Sequence, residues 1–195
     1  MKDILAVSGA CIMLCCTIPY VIDIVKGKTK PNIVSWFTWT LLLGIGTAAL
    51  YASHQTHAAL LLGGDVVATF AVVLVGLKYG IAKLDLFDGL CQVGALVGLI
   101  LWLVFNSPLI AITATIAIDF VGTIPSMRHC WLHPEEETSV TYTMGVIATI
   151  LTLLSLKEYS ITAWVYPVYL LFSNTLLVAA IMFGYRRAIR PVVSR

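Results

Sequence analysis

Two stretches decide how this chain is read: "TIPYVIDIVKGKTKPNIVSW", Thr17–Trp36, and "TIPSMRHCWLHPEEETSVTY", Thr123–Tyr142. Each opens with Thr-Ile-Pro at the end of an apolar run. Each then crosses a polar stretch and reaches a small hydroxyl residue followed by an aromatic one, Ser35-Trp36 in the first and Thr141-Tyr142 in the second. Thr123 stands 106 places after Thr17, and the same offset carries Ser35 onto Thr141 and Trp36 onto Tyr142. A second echo follows: Leu61-Leu62-Gly63-Gly64-Asp65 parallels Leu170-Leu171-Phe172-Ser173-Asn174.

The sequence around these stretches is made for lipid. Of its 195 residues 59% are hydrophobic and 11% charged, against about a quarter charged in soluble domains. A water-soluble fold of this length cannot hide that much apolar surface, so the bilayer is the expected solvent. Seven apolar segments can be marked, at roughly 4–25, 32–52, 56–77, 87–105, 107–128, 139–156 and 160–184. Each approaches the ~20 residues a helix needs to cross the hydrocarbon. None alternates polar and apolar residues as a barrel strand would, so the expected class is all-α integral membrane. The fourth and fifth segments are split only by Asn106-Ser107-Pro108, a sharp turn that fits the restriction Pro places on its predecessor. The first segment lacks a small-residue cleavage site and is read as a retained span. The five cysteines, Cys11, Cys15, Cys16, Cys91 and Cys130, have no paired spacing, and neither a disulfide framework nor a zinc site is expected.

Seven spans put the termini on opposite sides. One face then carries Lys2 and Lys157, and the other carries Lys26, Lys28, Lys30, Lys78, Lys83, Arg128, Arg186, Arg187, Arg190 and Arg195. The positive-inside rule places the N-terminus outside and the C-terminus in the cytoplasm, in a plasma or inner membrane. Spans 1–3 echo spans 5–7, leaving span 4 over. Three is odd, so a directly joined copy would be inverted, and one extra crossing restores its orientation. The expected organisation is two parallel three-helix repeats, 1–80 and 107–195, joined by a linker helix at 81–106 and ending in a basic cytoplasmic tail.

With that order the chain resembles the SWEET and PQ-loop transporters, the MtN3/saliva superfamily. These have seven helices in 3+1+3 order, an outside N-terminus, and a Pro near the cytoplasmic ends of helices 1 and 5. "KGKTKPNIVSW" is similar to the Lys-rich segment after the first Pro in that family. The naming Pro-Gln pair is absent, since Pro19-Tyr20 and Pro125-Ser126 stand in its place. The resemblance implies alternating access, with Pro19 and Pro125 as hinges. Pro167, in span 7, likewise removes a helical hydrogen bond.

Two acids lie deep in the spans, Asp65 in span 3 and Asp119 in span 5. An ionised Asp costs about 2.5–3.5 kcal/mol at a helix centre on insertion scales, so each should face the bundle interior, a wet cavity or a partner. No Lys or Arg lies mid-span to pair with them. That is the chemistry of a proton relay or of a site for a cationic group. Through the resemblance, Asn174 looks like one of the paired asparagines facing a SWEET substrate, with Asp65 as its acidic counterpart. Asp119 is placed like the fifth-helix Asp of some proton-coupled relatives. The deep Trp that stacks on sugars in helices 2 and 6 is missing: "GIGTAAL" from Gly44 and "GVIATILTLL" from Gly145 hold no aromatic. Trp36 and Trp39 fall where an interfacial belt is expected, with a gate formed by Trp39 and Tyr142 as the sharper reading. Gly44, Gly46 and Thr47 could line a cavity, but small residues are expected more often to permit close helix packing.

"RHCWLHPEEE" brings His129, Cys130 and His133 near Glu135–Glu137, but these ligands are loosely placed and solvated, and no metal is expected. The glutamates are expected to cap span 6 or to pair with the Lys-rich first loop. An intramembrane aspartyl protease would need Gly-x-Gly-Asp and a Tyr-Asp partner; Leu62-Gly63-Gly64-Asp65 and Ile118-Asp119 provide neither. A retinal protein would need a Lys in span 7, which has none. The expectation is a carrier, not an enzyme, without cofactor or nucleic-acid partner. It would move a small polar solute through Asp65, Asn174 and Asp119, couple to protons through Asp119 or Asp65, and be free to form a homo-oligomer. A receptor or scaffold without transport is the alternative.

Overall fold

The computed structural model describes residues 1–28, 33–80, 86–105 and 107–193. Of the residues singled out above, Lys30, Lys83, Asn106 and Arg195 lie outside these, as do the side chains of Ser35, Cys91, Pro125, His129, Glu136, Arg187 and Arg190. The described residues form helices and no strand: α1 Lys2–Cys15, α2 Ile18–Val25, α3 Ile33–Ala52, α4 Thr56–Tyr79, α5 Leu86–Phe105, α6 Pro108–Leu132, α7 Ser139–Ser155 and α8 Ile161–Val193. A single 3-10 turn, Pro134–Glu136, precedes α7.

The first apolar segment is thus two helices in line. Pro19 has no N–H to offer the Cys15 carbonyl, and α1 stops at Cys15. Thr17 holds φ −84° and ψ −9°, and α2 restarts at Ile18 with Pro19 in its first turn. Gly27 then ends α2 with φ +72°, a left-handed position suited to Gly. The second Thr-Ile-Pro behaves differently, because α6 runs unbroken through Pro125. Nor does Pro167 interrupt α8. A membrane helix tolerates a missing bond where neighbours satisfy the freed carbonyl. Of the three expected joints, only Pro19 coincides with a break in a helix.

Among the described residues, three helical segments are long and apolar enough to cross a membrane: Lys2–Val25, Thr56–Tyr79 and Ile161–Arg186. Trp36–Ala52, Pro108–Phe120 and Ser139–Ser155 are shorter apolar stretches. Outward faces are apolar too: Leu60, Val67, Phe70, Leu74 and Leu77 of α4 are exposed, as are Leu96, Ile100 and Leu103 of α5. Water would penalise such surfaces heavily, and lipid would not. The described residues are helical, and their length and apolar surface suit a membrane protein.

Packing neighbours run α1–α4–α3–α6–α8–α7 and back to α1. Helix α5 sits against α6 and α3. The core lies where these six helices meet, at Leu50, Leu61, Leu62, Ile112 and Tyr166, all without exposed surface. Close approach depends on small residues. A Cβ on Gly9 of α1 would come within 2.8 Å of Thr152 Oγ1 on α7, and one on Gly64 of α4 within 2.7 Å of the Ala10 carbonyl. Gly46 packs in the same way, its absent Cβ 3.0 Å from Leu62 and 3.7 Å from Thr115.

Candidate solute cavity

A cavity of about 120 Å³ opens among these helices. Helix α4 brings Asp65 to it, α6 brings Asp119, and α8 brings Asn174. Trp39 of α3 and Tyr142 of α7 also line it, so five of the residues nominated from sequence share one wall. Pro19 and Pro167 are not part of that wall. The hydroxyl residues of the two repeated phrases, Thr17 and Thr123, face the cavity as well, and both are buried. Trp36 and Trp39 both line the cavity, their ring centroids 5.3 Å apart in an edge-to-face contact. Tyr20 lies against Trp36 with its ring tilted 41° and the centroids 5.0 Å apart.

The two acids are held differently. Asp119 accepts a hydrogen bond through Oδ2 from the Tyr169 hydroxyl at 2.6 Å. Tyr169 is in turn braced edge-on by the buried Tyr166, with centroids 5.9 Å apart. Thr123 donates to the Asp119 carbonyl at 2.9 Å and does not touch the carboxylate. Asp65 has only its backbone engaged, by Thr69 Oγ1 at 2.8 Å; no partner for its carboxylate is found among the described residues. The hydroxyls of Thr69 and Thr40 meet at 3.1 Å and pin α4 to α3 beside it. Asn174 donates from Nδ2 to the Leu170 carbonyl at 3.0 Å. Its Oδ1 lies over Gly145, where a Cβ would come within 3.0 Å, so Gly145 leaves room for the amide.

Sequence reading missed Tyr166, Tyr169 and Ser173. A signal was present. With Leu170, Asn174 and Leu177, these residues recur at helical spacing on one face of α8, the face turned to the centre. It was hidden because α8 is apolar on nearly every side, which weakens any facing signal.

One end of the bundle is clasped. Asp3 Oδ1 lies 3.0 Å from Lys157 Nζ and 2.9 Å from His57 Nε2. The other ring nitrogen of the buried His57 is 2.7 Å from the Ser155 carbonyl. Both ring nitrogens therefore lie within hydrogen-bond distance of an acceptor. Lys2 adds a bond to the Leu156 carbonyl at 2.6 Å. The clasp joins the first turns of α1 and α4 to the last turn of α7. At the opposite end Thr138 donates to Asp23 Oδ2 at 3.1 Å, linking the segment before α7 to α2. Glu135 and Glu136 stand in the 3-10 turn, outside the first turn of α7, while Glu137 accepts from the Tyr142 hydroxyl at 3.2 Å. Cys130 is buried and His133 exposed, 3.9 Å from Glu135.

A second hollow, about 780 Å³, is an apolar groove between α1, α3 and α4. Gly44 and Thr47 line it, Thr47 also packing on Gly63, whose absent Cβ would lie 3.8 Å away, while Gly46 makes the tightest of these approaches. No family model, curated protein or solved structure matches the chain.

Proposed function

We propose that this protein is a membrane carrier of the SWEET and PQ-loop kind. In this reading it has seven crossings, with α1 and α2 together forming the first, and moves a small polar solute by alternating access. Helices α3, α5, α6 and α7 supply the crossings beyond the three that are long and apolar by themselves.

The observation that carries the reading is the shared cavity. Two intramembrane acids and an Asn, drawn from three helices, converge on one hollow, which is the expected placement for a solute and ion site. The packing order supports two parallel repeats. In the first half α4 lies between α1 and α3; in the second α8 lies between α6 and α7. The halves meet through α1 with α7 and through α3 with α6, contacts that exchange when the halves are swapped. The match extends to residues. Gly9 packs on Thr152, and Gly46 lies beside Thr115; the 106-residue offset turns each pair into the other. Around the cavity the same offset pairs Met13 with Asp119, Thr17 with Thr123, Trp36 with Tyr142, and Trp39 with Gly145. Helix α5, lying against α6 and α3, fits the role of linker.

In this reading Asp119, buttressed by Tyr169, takes up and releases the coupling proton. Asp65 and Asn174 face the solute. The N-terminus lies outside, so the His57 clasp closes the outer end and the Trp36–Tyr142 layer lies toward the cytoplasm. Both acids face one hollow, as a hydrolytic pair would. The Tyr169 bond to Asp119 and the missing Gly-x-Gly-Asp weigh against an aspartyl protease.

The test is solute uptake into proteoliposomes under an imposed pH gradient, with a panel of amines, amino acids and sugars. Gradient-driven uptake that Asp119→Asn abolishes is expected. Uptake indifferent to both Asp65→Asn and Asp119→Asn overturns the coupling, and no uptake of any class favours a receptor or scaffold.

A further inference from the structure

Asp65 raises a question the carrier reading leaves open, since its carboxylate faces the cavity without a hydrogen-bond or ion-pair partner among the described residues. We propose that the cavity takes a small organic ammonium ion, with Asp65 as its counter-ion and Trp36, Trp39 and Tyr142 as its aromatic wall. The inference rests on reading this cavity as a solute site.

Four independent features converge. The first is charge: the described lining holds two carboxylates and no Lys, Arg or His. Asp119 is engaged by Tyr169, which leaves Asp65 to meet whatever enters. The second is an orphaned hydroxyl. Thr141 lines the cavity, and its buried Oγ1 has no hydrogen-bond partner among the described residues. A buried hydroxyl without a partner costs about 1–3 kcal/mol, and an ammonium N–H or a solute hydroxyl would satisfy it. The third is the aromatic wall, because indole and phenol faces attract cations. The fourth is size. At about 120 Å³ the cavity suits a small solute of a few non-hydrogen atoms. A divalent metal fits less well. No group of three or more His, Cys, Asp or Glu is gathered among the described residues, and such ions seek six or more oxygen ligands or a near-ideal octahedron.

The probe is choline, compared with 3,3-dimethylbutan-1-ol, in which a carbon replaces the nitrogen. Thermal unfolding of the full chain in detergent reads binding, because a ligand of the folded state raises Tm. Choline is expected to raise Tm with dose and the neutral alcohol to leave it unchanged. Asp65→Asn should remove the choline shift, and Glu158→Gln, at an exposed position, should retain it. Should Asp65→Asn not fold, Thr141→Val keeps the shape and is expected to weaken choline about three- to tenfold. Phosphocholine should fail, since two carboxylates repel its phosphate; a larger shift from phosphocholine than from choline would assign the site to a lipid headgroup and overturn the proposal. Equal shifts from choline and the alcohol, or none from either, also overturn it. If choline fails while proteoliposomes take up an uncharged solute, the ammonium inference falls and the carrier stands. If choline binds but proteoliposomes take up no solute of any class, the site stands and the carrier reading falls.

Discussion

At the scale of single residues, the difference between Asp65 and Asp119 has direct consequences. Tyr169 gives Asp119 a hydrogen bond of 2.6 Å, and bonds to charged groups are worth about 1.5–3 kcal/mol. Tyr169→Phe should therefore leave solute exchange in place while altering the pH profile of gradient-driven uptake. An unchanged profile would mean that Tyr169 only packs. Gly145 makes a second case, because Asn174 Oδ1 occupies the space a side chain would need. Gly145→Leu should displace the amide and fill the hollow, abolishing solute binding in a Tm-shift assay; retained binding would move the site elsewhere. Asp65 and Asp119 stood out in sequence because lipid makes buried charges costly and therefore conspicuous, whereas Asn174 was reached through the repeat and the resemblance. Tyr169 was not. A tyrosine in an apolar helix is inconspicuous until the facing of α8 is known, and an evenly apolar helix conceals its facing.

At the scale of elements, the outcome at the two Thr-Ile-Pro phrases is asymmetric. The same three residues end α1 before α2 but lie inside a continuous α6. The kink rule for Pro was legible; which copy would break was not, because the neighbours of each helix decide whether a missing bond is tolerated. The alternating-access reading assigns the joint to the first copy. Pro19→Ala should join α1 to α2, slow transport severalfold and leave solute affinity unchanged; equal loss of affinity and rate would instead indicate damage to the site. Contacts between α1 and α7 depend on Gly9, whose missing Cβ would sit 2.8 Å from Thr152. Gly9→Val overpacks that seam at about 1–3 kcal/mol, which for a chain of this length lowers Tm by roughly 2–4 °C per kcal/mol. The clasp adds a similar test. His57→Phe leaves the Ser155 carbonyl without its donor, at about 1–3 kcal/mol. An unchanged Tm for either variant would contradict the packing described.

At the scale of the whole molecule, composition made the solvent legible and apolar segmentation marked seven lengths of helix. The order in which those helices pack was beyond sequence. Short echoes relate spans 1–3 to spans 5–7, but nothing in them says that α4 lies between α1 and α3, or that α1 meets α7. Such contacts join residues more than a hundred positions apart, and apolar faces in lipid discriminate weakly between partners. The Gly9–Thr152 and Gly46–Thr115 contacts come into view only with the coordinates.

Cys16, buried on the cavity wall, offers the most direct probe of a hollow that opens alternately to each side. With Cys11, Cys15, Cys91 and Cys130 replaced by Ala, a membrane-impermeant thiol reagent is applied to right-side-out and to inside-out vesicles. Modification of Cys16 from both faces, slowed by a bound solute, is the result expected of a carrier. Modification from one face only, or from neither, would contradict it.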